Sequence, residues 1–328
     1  MSARWIHFLG LFIALVASTE VAQSTEVFPS RPITLIVPFA AGGPNDVLGR
    51  IVTDHMAKTL GQSIIIENVS GAGGTIGSGR AAKAAPDGYT MVSGNLGSHG
   101  ASYAYYPKLG YEPNSFSGVG MVAGTPNFIA VRKDLAFSNL SQFVTALQEH
   151  PDKFTAGHAG NGSNGNLVCL LFMATAGVKL QLVPYRGSGP AMNDLVGGQI
   201  DAMCDSAPTI VPQAQAKSIN VLAVAQSNRL PALPLVPTAA ESGLPGFDVT
   251  GWNAFFVPAG TPMPIVQRLN RALLEALHND EVKRRIEEIG ATLPSAEQES
   301  PTGLDAFVRD EILKWRDVVK NANAAIKP

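Results

Sequence analysis

The chain has 328 residues, 45% of them hydrophobic and 15% charged, with 24 Lys and Arg against 26 Asp and Glu for a formal charge of −2. Such a chain buries a sizeable core, and it lacks the basic field, or a basic stretch interleaved with stacking aromatics, that a nucleic-acid partner requires. The 33 Gly and 23 Pro are dispersed and form no low-complexity block.

Arg4 and the free amine precede an apolar run at residues 8–17 (FLGLFIALVA), and small residues follow that fit cleavage after Ser18 or after Ser24. The run is too short for the roughly 20 residues of a membrane span. It reads as a secretory signal over residues 1–24, an N-terminal core or anchor helix being the alternative, and it places the mature protein outside the cytoplasm. What is left is long enough for two domains of about 100–200 residues. Cys169 and Cys204 fit neither a zinc spacing nor a CxxC motif, so one disulfide and two buried thiols both remain open.

Short apolar runs then alternate with helical patterns, the signature of βαβ units around parallel sheets. A strand at 33–37 is followed by a helix with Val47, Leu48, Ile51, Val52 and Met56 on one face, ended by Gly61. Next come the strand SIIIE (63–67), the turn SGAGGTIG, an Ala-rich helix stopped by Pro86, Asp87 and Gly88, and a strand at 89–93. That first unit is complete near Thr125. From Phe128 the alternation restarts with the strand FIAVRK, a helix carrying Leu140, Phe143, Val144 and Leu147, and the strand-like FTAGHAG. The loop NGSNGN leads to a helix at 167–176; a strand at 180–185 and the turn RGSGPA lead to a short helix; strands at 200–204 and 221–224 close this sheet. After a last strand at 252–257 the chain is helical, at 265–277, 281–289 and 304–321. Helices without strands of their own pack back on the first unit, so the chain crosses between domains near Asn127 and near Gly251. Two crossings make a hinge with a cleft beneath it.

Four loops of small and polar residues, at 40–46, 70–75, 157–166 and 187–190, lie between a predicted strand end and a helix start. Open parallel sheets bind ligands outside the carboxyl ends of their strands, and a helix start offers free N–H groups and the positive end of a dipole. Each loop alone is equally a tight connection; together, from two domains, they favour an anion. The dinucleotide alternative at 71–77 fails because Ile76 stands where GxGxxG needs glycine. No serine sits in GxSxG and no histidines form HxxxH, so no catalytic residue, metal ligand or cofactor site is assigned. His99 and His158 lie on cleft-side loops, either as donors to a carboxylate or as loop histidines bonded to backbone. Asp46 and Asp205 both fit helix capping, Arg186 either grips a carboxylate or is solvated, and Phe39 and Trp252 line a pocket wall or the core.

The stretches FPSRPITLIVPFAAGGPNDVLGR, ENVSGAGGTIGSGRAAKAAPDGYT, YPKLGYEPNSF, AGNGSNGN, VPYRGSGPAMNDLVGGQIDAMCD, LPALPLVPTAAESGLPGF and FVPAGTPMPIVQRLN run in order over the whole mature chain. They closely resemble the Bug family, the periplasmic solute-binding proteins of tripartite tricarboxylate transport systems. The resemblance implies the type II periplasmic-binding-protein fold, α/β, with two lobes joined by two crossover strands: lobe 1 from 25–126 and 252–328, lobe 2 from 127–251. It implies a monomer that closes on a small organic carboxylate (a di- or tricarboxylate or an aromatic acid) and presents it to membrane permease subunits, without a cofactor. Carried over, the first-lobe grip falls on Phe39, Ala41, Gly42, Gly43 and Asp46. The second-lobe grip falls on Gly160, Asn161, Ser163 and Asn164, with Asp205 following its strand. Asn95, Ser98, His99, Asn127 and Cys204 depart from the commoner family residues and bear on which ligand is taken. An enzyme of the same fold and a sensor subunit for a signalling receptor are the rival functions.

Overall fold

A computed structural model describes residues 28–326; the expected signal segment 1–24 lies outside the described residues. Strand β1 (Ile33–Val37) is β-branched except at Leu35 and almost wholly buried, as a strand covered on both faces must be. Its alternation sorts the faces: Ile33, Leu35 and Val37 join one core cluster and Ile36 the other. β2 (Ile64–Asn68) and β3 (Thr90–Asn95) flank it, both parallel to it. Pro44 at the first position of helix α1 (Pro44–Leu60) gives up an N–H that would have no intrahelical partner, and Gly61 ends the helix in the left-handed conformation, donating its N–H to Ala57.

The next strand, β4 (Phe116–Arg132), is 17 residues long and changes partners midway. Up to Pro126 it pairs antiparallel with β9 (Thr250–Pro258); from Asn127 it pairs antiparallel with β7 (Ala202–Ser206) and β8 (Ile219–Val224). β5 (Thr155–His158) lies parallel to both β7 and β6 (Gln181–Pro184). One nine-stranded order results, β2-β1-β3-β9-β4-β7-β5-β6 with β8 on β4. The expectation of parallel sheets holds for β1–β3 and β5–β7 and is corrected at the centre, where β4 and β9 are the two crossover strands and run antiparallel to each other.

The first half of β4 was absent from the predicted elements. Its sequence, FSGVGMVAGT, interrupts any alternation with glycines that the packing demands. A Cβ on Gly118 would lie 2.7 Å from the Asp305 carboxylate, and one on Gly120 2.8 Å from the Glu299 carbonyl. Helices near the chain's end, one carrying Leu273 and another carrying Leu304 and Asp305, thus sit tightly on this strand. Helices α8 (Met263–Leu277) and α9 (Asp280–Glu288) share a core with β1 and α1 through Leu269, Leu273, Val282 and Ile286. Helix α10 (Pro301–Ile326) buries Leu304 and Trp315 against the other face. Each such side chain contributes about 1.5–3 kcal/mol on burial.

In the other half, helix α5 (Asn164–Ala176) packs Phe172 against Phe143 of helix α4 (Leu140–Glu149) and against Phe247. Cys169 of α5 and Cys204 of β7 are disulfide-bonded, which decides between the two alternatives left open by the sequence. Helices α6 (Ser188–Val196) and α7 (Ala207–Gln215) cover the opposite face with Met192, Leu195, Ile210 and Val211. No helix among the described residues is long and apolar enough to cross a membrane.

Candidate functional site

Where β4 and β9 pass between the two halves, a cavity opens with an empty volume of about 370 Å³, mouth included. Four helices begin on it. Gly43, Pro44 and Asn45 start α1; Ser163, Asn164 and Gly165 start α5; Ser188 starts α6; Asp205 and Ser206 lead into α7. Phe39, Asn95, Thr125, Ala159, Trp252 and Asn253 complete the wall. First-turn N–H groups have no acceptor inside their own helix, and each start carries about half a positive charge from the helix dipole. Among the described residues, no lysine or arginine lines the cavity. Its positive character is therefore main-chain in origin, which suits an anion whose oxygens need several donors rather than one countercharge.

The loops of the two halves touch around this space. Ala40 donates its N–H to the carbonyl of Arg186 at 3.1 Å, and the Tyr106 hydroxyl reaches the carbonyls of Asn161 at 2.5 Å and Ala72 at 3.1 Å. Arg186 contributes only that main-chain oxygen; its side chain is exposed, in line with the solvated alternative.

Five of the residues assigned from the sequence line the cavity: Phe39, Gly43, Ser163, Asn164 and Asp205. Asp46 does not. Its Oδ2 accepts from the Gly42 N–H at 3.0 Å and its Oδ1 from Asn68 at 3.0 Å, while Arg50 bonds both oxygens. Burial alone would raise its pKa, but the bonds from Arg50, the Gly42 N–H and Asn68 hold it below the ordinary carboxylate range. Asp46 is thus a brace for the Ala41–Gly43 turn, and it takes up the N–H of Gly42 in doing so. Ala41 and Gly42 lie instead against Gly189 on the outer side. Gly160 and Asn161 shape the second-half loop without lining the cavity: the Gly160 N–H goes to His158 Nδ1 at 3.2 Å, and the Asn161 carbonyl to Tyr106.

The expectation for His99 is corrected. Its ring stacks on Phe256 with centroids 4.5 Å apart, lies 4.6 Å from Phe116, and points into an aromatic cluster away from the cavity. Burial pushes it down to about 3, so the ring is neutral at physiological pH. Ser98 acts at one remove: its N–H bonds Asn95 Oδ1 at 2.9 Å and its Oγ receives the Asn95 N–H. Asn95, so fixed, donates to Asn45 at 2.8 Å, and Asn45 donates to the Ser93 carbonyl at 2.7 Å. His158, lowered to about 4 chiefly by burial, is a neutral loop histidine bonded to backbone.

Sequence reasoning missed Asn45, Thr125, Ser188 and Asn253 as wall residues. Asn253 left a signal, an amide inside the otherwise apolar run WNAFFV; Ser188 sat in a loop marked as a whole. Three buried polar atoms on this wall have no hydrogen bond within the protein: Asn164 Oδ1, Asp205 Oδ2 and Asn253 Nδ2. Buried polar atoms are normally satisfied, so these three are open to a partner from outside the chain, a water or a ligand. Burial pushes Asp205 up to about 6, against the pull of the Ser188 hydroxyl, the Ser206 N–H and the Thr209 hydroxyl. Of these only the Ser206 N–H makes a hydrogen bond of full geometry, 2.8 Å to Oδ1. Trp252 is held in the wall by its indole N–H, which Glu311 accepts at 3.1 Å.

Comparison with known proteins agrees with this geometry. A family model described as the tripartite tricarboxylate transporter family receptor, TctC, matches residues 48–324. MatC from Rhodopseudomonas palustris, solved with bound malate, is 45% identical with a TM-score of 0.86, covering 89% of this chain and 100% of that one. The periplasmic binding protein BugD is 35% identical with a TM-score of 0.87, over 90% of this chain and 99% of its own. A second R. palustris protein, solved with adipate, is 35% identical with a TM-score of 0.86, over 90% and 98%. The chain therefore belongs to the TctC family of tripartite tricarboxylate transporter receptors, the Bug-type solute-binding proteins, and has their two-lobed fold.

Proposed function

We propose that this protein works in the periplasm, after loss of residues 1–24, as a monomeric binding protein that captures a small organic carboxylate and delivers it to the membrane permease of a tripartite tricarboxylate transporter. The observation that carries the reading is the convergence of four helix starts, one from the first half and three from the second, on one cavity without a basic side chain. Residues 25–126 with 252–328 form one lobe and 127–251 the other. The acid belongs between them, where Gly43 and Asn164 supply main-chain donors, Ser163 offers its hydroxyl because its N–H is taken by the Gly160 carbonyl at 3.0 Å, Asp205 and Phe39 shape the wall, and Asp46 and Ser98 hold the donors in place. Malate in MatC and adipate in the second R. palustris protein support a small di-acid as the ligand class.

The physics is differential affinity. An acid that touches both lobes only when they meet shifts the open–closed equilibrium by the contacts closure adds. Burying a carboxylate is costly unless its oxygens are fully hydrogen-bonded, and fixed N–H groups meet that need. The protein binds and releases its ligand unchanged.

Calorimetry and thermal unfolding with malate, succinate, adipate, citrate, benzoate and an uncharged sugar test the reading. A bound acid at 100 times its dissociation constant stabilises the fold by about 2.7 kcal/mol. Binding of the sugar, or of none of the acids, refutes it.

A further inference from the structure

We infer that the acid this cavity is built for carries a hydrogen-bond donor of its own, a hydroxyl or an ammonium group, that engages Asn164 and Asp205. The inference rests on the reading of the cavity as a carboxylate site and narrows its ligand class.

The cavity wall divides by hydrogen-bonding sense. Donors are supplied by the helix starts and by Asn253 Nδ2, and two residues lining the same cavity each carry a buried, unpaired acceptor, Asn164 Oδ1 and Asp205 Oδ2. Asn164 is 9% exposed and Asp205 2%. The orientation of the Asn164 amide is fixed by a chain of bonds. Asn127 Nδ2 must donate to the Val249 carbonyl at 3.0 Å, which leaves Asn127 Oδ1 as an acceptor, and Asn164 Nδ2 donates to it at 2.7 Å. Turning the Asn164 amide would set two oxygens against each other, and turning both amides would do the same at Val249. Asn164 Oδ1 is therefore a committed acceptor. Asp205 has one oxygen on the Ser206 N–H; the other makes no hydrogen bond of full geometry, though the Ser188 and Thr209 hydroxyls lie near the carboxylate.

An ionised carboxylate offers lone pairs only and cannot satisfy Asn164 Oδ1, nor Asp205 Oδ2 while that group is ionised. A plain di-acid would fill the donor side and leave two acceptors buried without partners, whereas a hydroxyl or ammonium beside the carboxylate supplies the missing protons. A site built to bond such a group discriminates against the analogue that lacks it.

The test compares matched acids by calorimetry on the full mature protein: lactate against propionate, malate and aspartate against succinate, citrate against tricarballylate. In the pair whose size suits the cavity, the donor-bearing acid is expected to bind at least about tenfold tighter. Asp205→Asn and Asn164→Leu, each measured with the same pair, are expected to shrink that ratio at least about threefold. Equal affinities within every pair that binds would overturn the inference while leaving the carboxylate reading intact, because a water carried in with any acid would then be filling the acceptors. A ratio kept by both variants would overturn the assignment to these two residues. Binding of no acid at all would overturn the carboxylate reading, and the inference with it.

Discussion

Gly97 lies in the turn of Leu96–Ala101 that follows β3, and across the cleft it meets the start of α5. A Cβ placed on it would lie 2.7 Å from the Asn164 nitrogen and 3.0 Å from both the Gly162 oxygen and the Ser163 carbonyl carbon. All three are backbone atoms, so none can swing aside as a side-chain tip would. The backbone of Gly97 is not in a conformation reserved for glycine, and alanine in a helical turn is if anything favoured by up to about 1 kcal/mol. Gly97→Ala therefore leaves the separated lobes as stable as before and obstructs only their meeting. Overpacking of this kind costs about 1–3 kcal/mol, which becomes roughly a 5- to 150-fold loss of affinity for the acid. The assay pairs calorimetry of malate or whichever acid binds with thermal unfolding of the unliganded protein. The expected outcome is weakened binding with the unliganded midpoint within a few degrees of wild type. Unchanged affinity would refute the premise that the loops must come this close to hold the ligand.

Gly43→Pro removes one N–H at the start of α1, so affinity is expected to fall about tenfold or more while the unfolding transition stays cooperative; wild-type affinity would remove Gly43 from the grip. Glu311 accepts both indole N–H groups, from Trp252 and Trp315, and Glu311→Ala leaves both buried without a partner. Urea unfolding is expected to show a loss of about 2–4 kcal/mol, and a loss below about 0.5 kcal/mol would contradict the bond assignment. Burial depresses His99 to about 3 and His158 to about 4, both below the ordinary value of 6.5. The unfolded chain then takes up protons that the native state refuses, so stability is full above pH 6.5 and falls as the pH drops below it, by up to about 1.4 kcal/mol per pH unit for each ring. Asp205, raised to about 6, works the other way, favouring the native state as the pH falls from 6 towards 3.8. Two rings outweigh one carboxyl, and His99→Phe is expected to make the decline between pH 6 and 4.5 visibly shallower; an identical pH profile in that variant would refute the neutral, buried ring.

Local chemistry made the β1–turn–α1 unit legible. Five β-branched or leucine residues, a proline at the helix start and Gly61 at its end all state the same structure at short range. The antiparallel centre was not legible, because β4 and β9 take their direction from where the chain must travel between lobes, which no local pattern encodes. The glycines of β4 record the closeness of α8 and α10 and look from the sequence like a loop. Gly43, Ser163, Asn164 and Asp205, assigned from the sequence, line the cavity because helix starts and strand ends are local signals, strengthened by the family resemblance. His99 was misplaced because a loop position does not say which way a ring turns, and the aromatic rings of Phe116 and Phe256 that capture it are far away in sequence. Asp46 was read as a ligand contact, whereas its carboxylate is taken up by the Gly42 N–H, Arg50 and Asn68. Asn253 and Asn45 escaped because an asparagine becomes a wall residue only once distant strands and helices meet.

The central claim is that main-chain donors from both lobes replace the hydration of a bound acid. The most direct measurement is a crystal structure of the mature protein saturated with an acid that binds in solution. The expected result places the carboxylate in the cavity within hydrogen-bonding distance of N–H groups at the starts of α1 and of α5 or α7. An acid bound outside the cavity, or held by one lobe alone, would contradict the account.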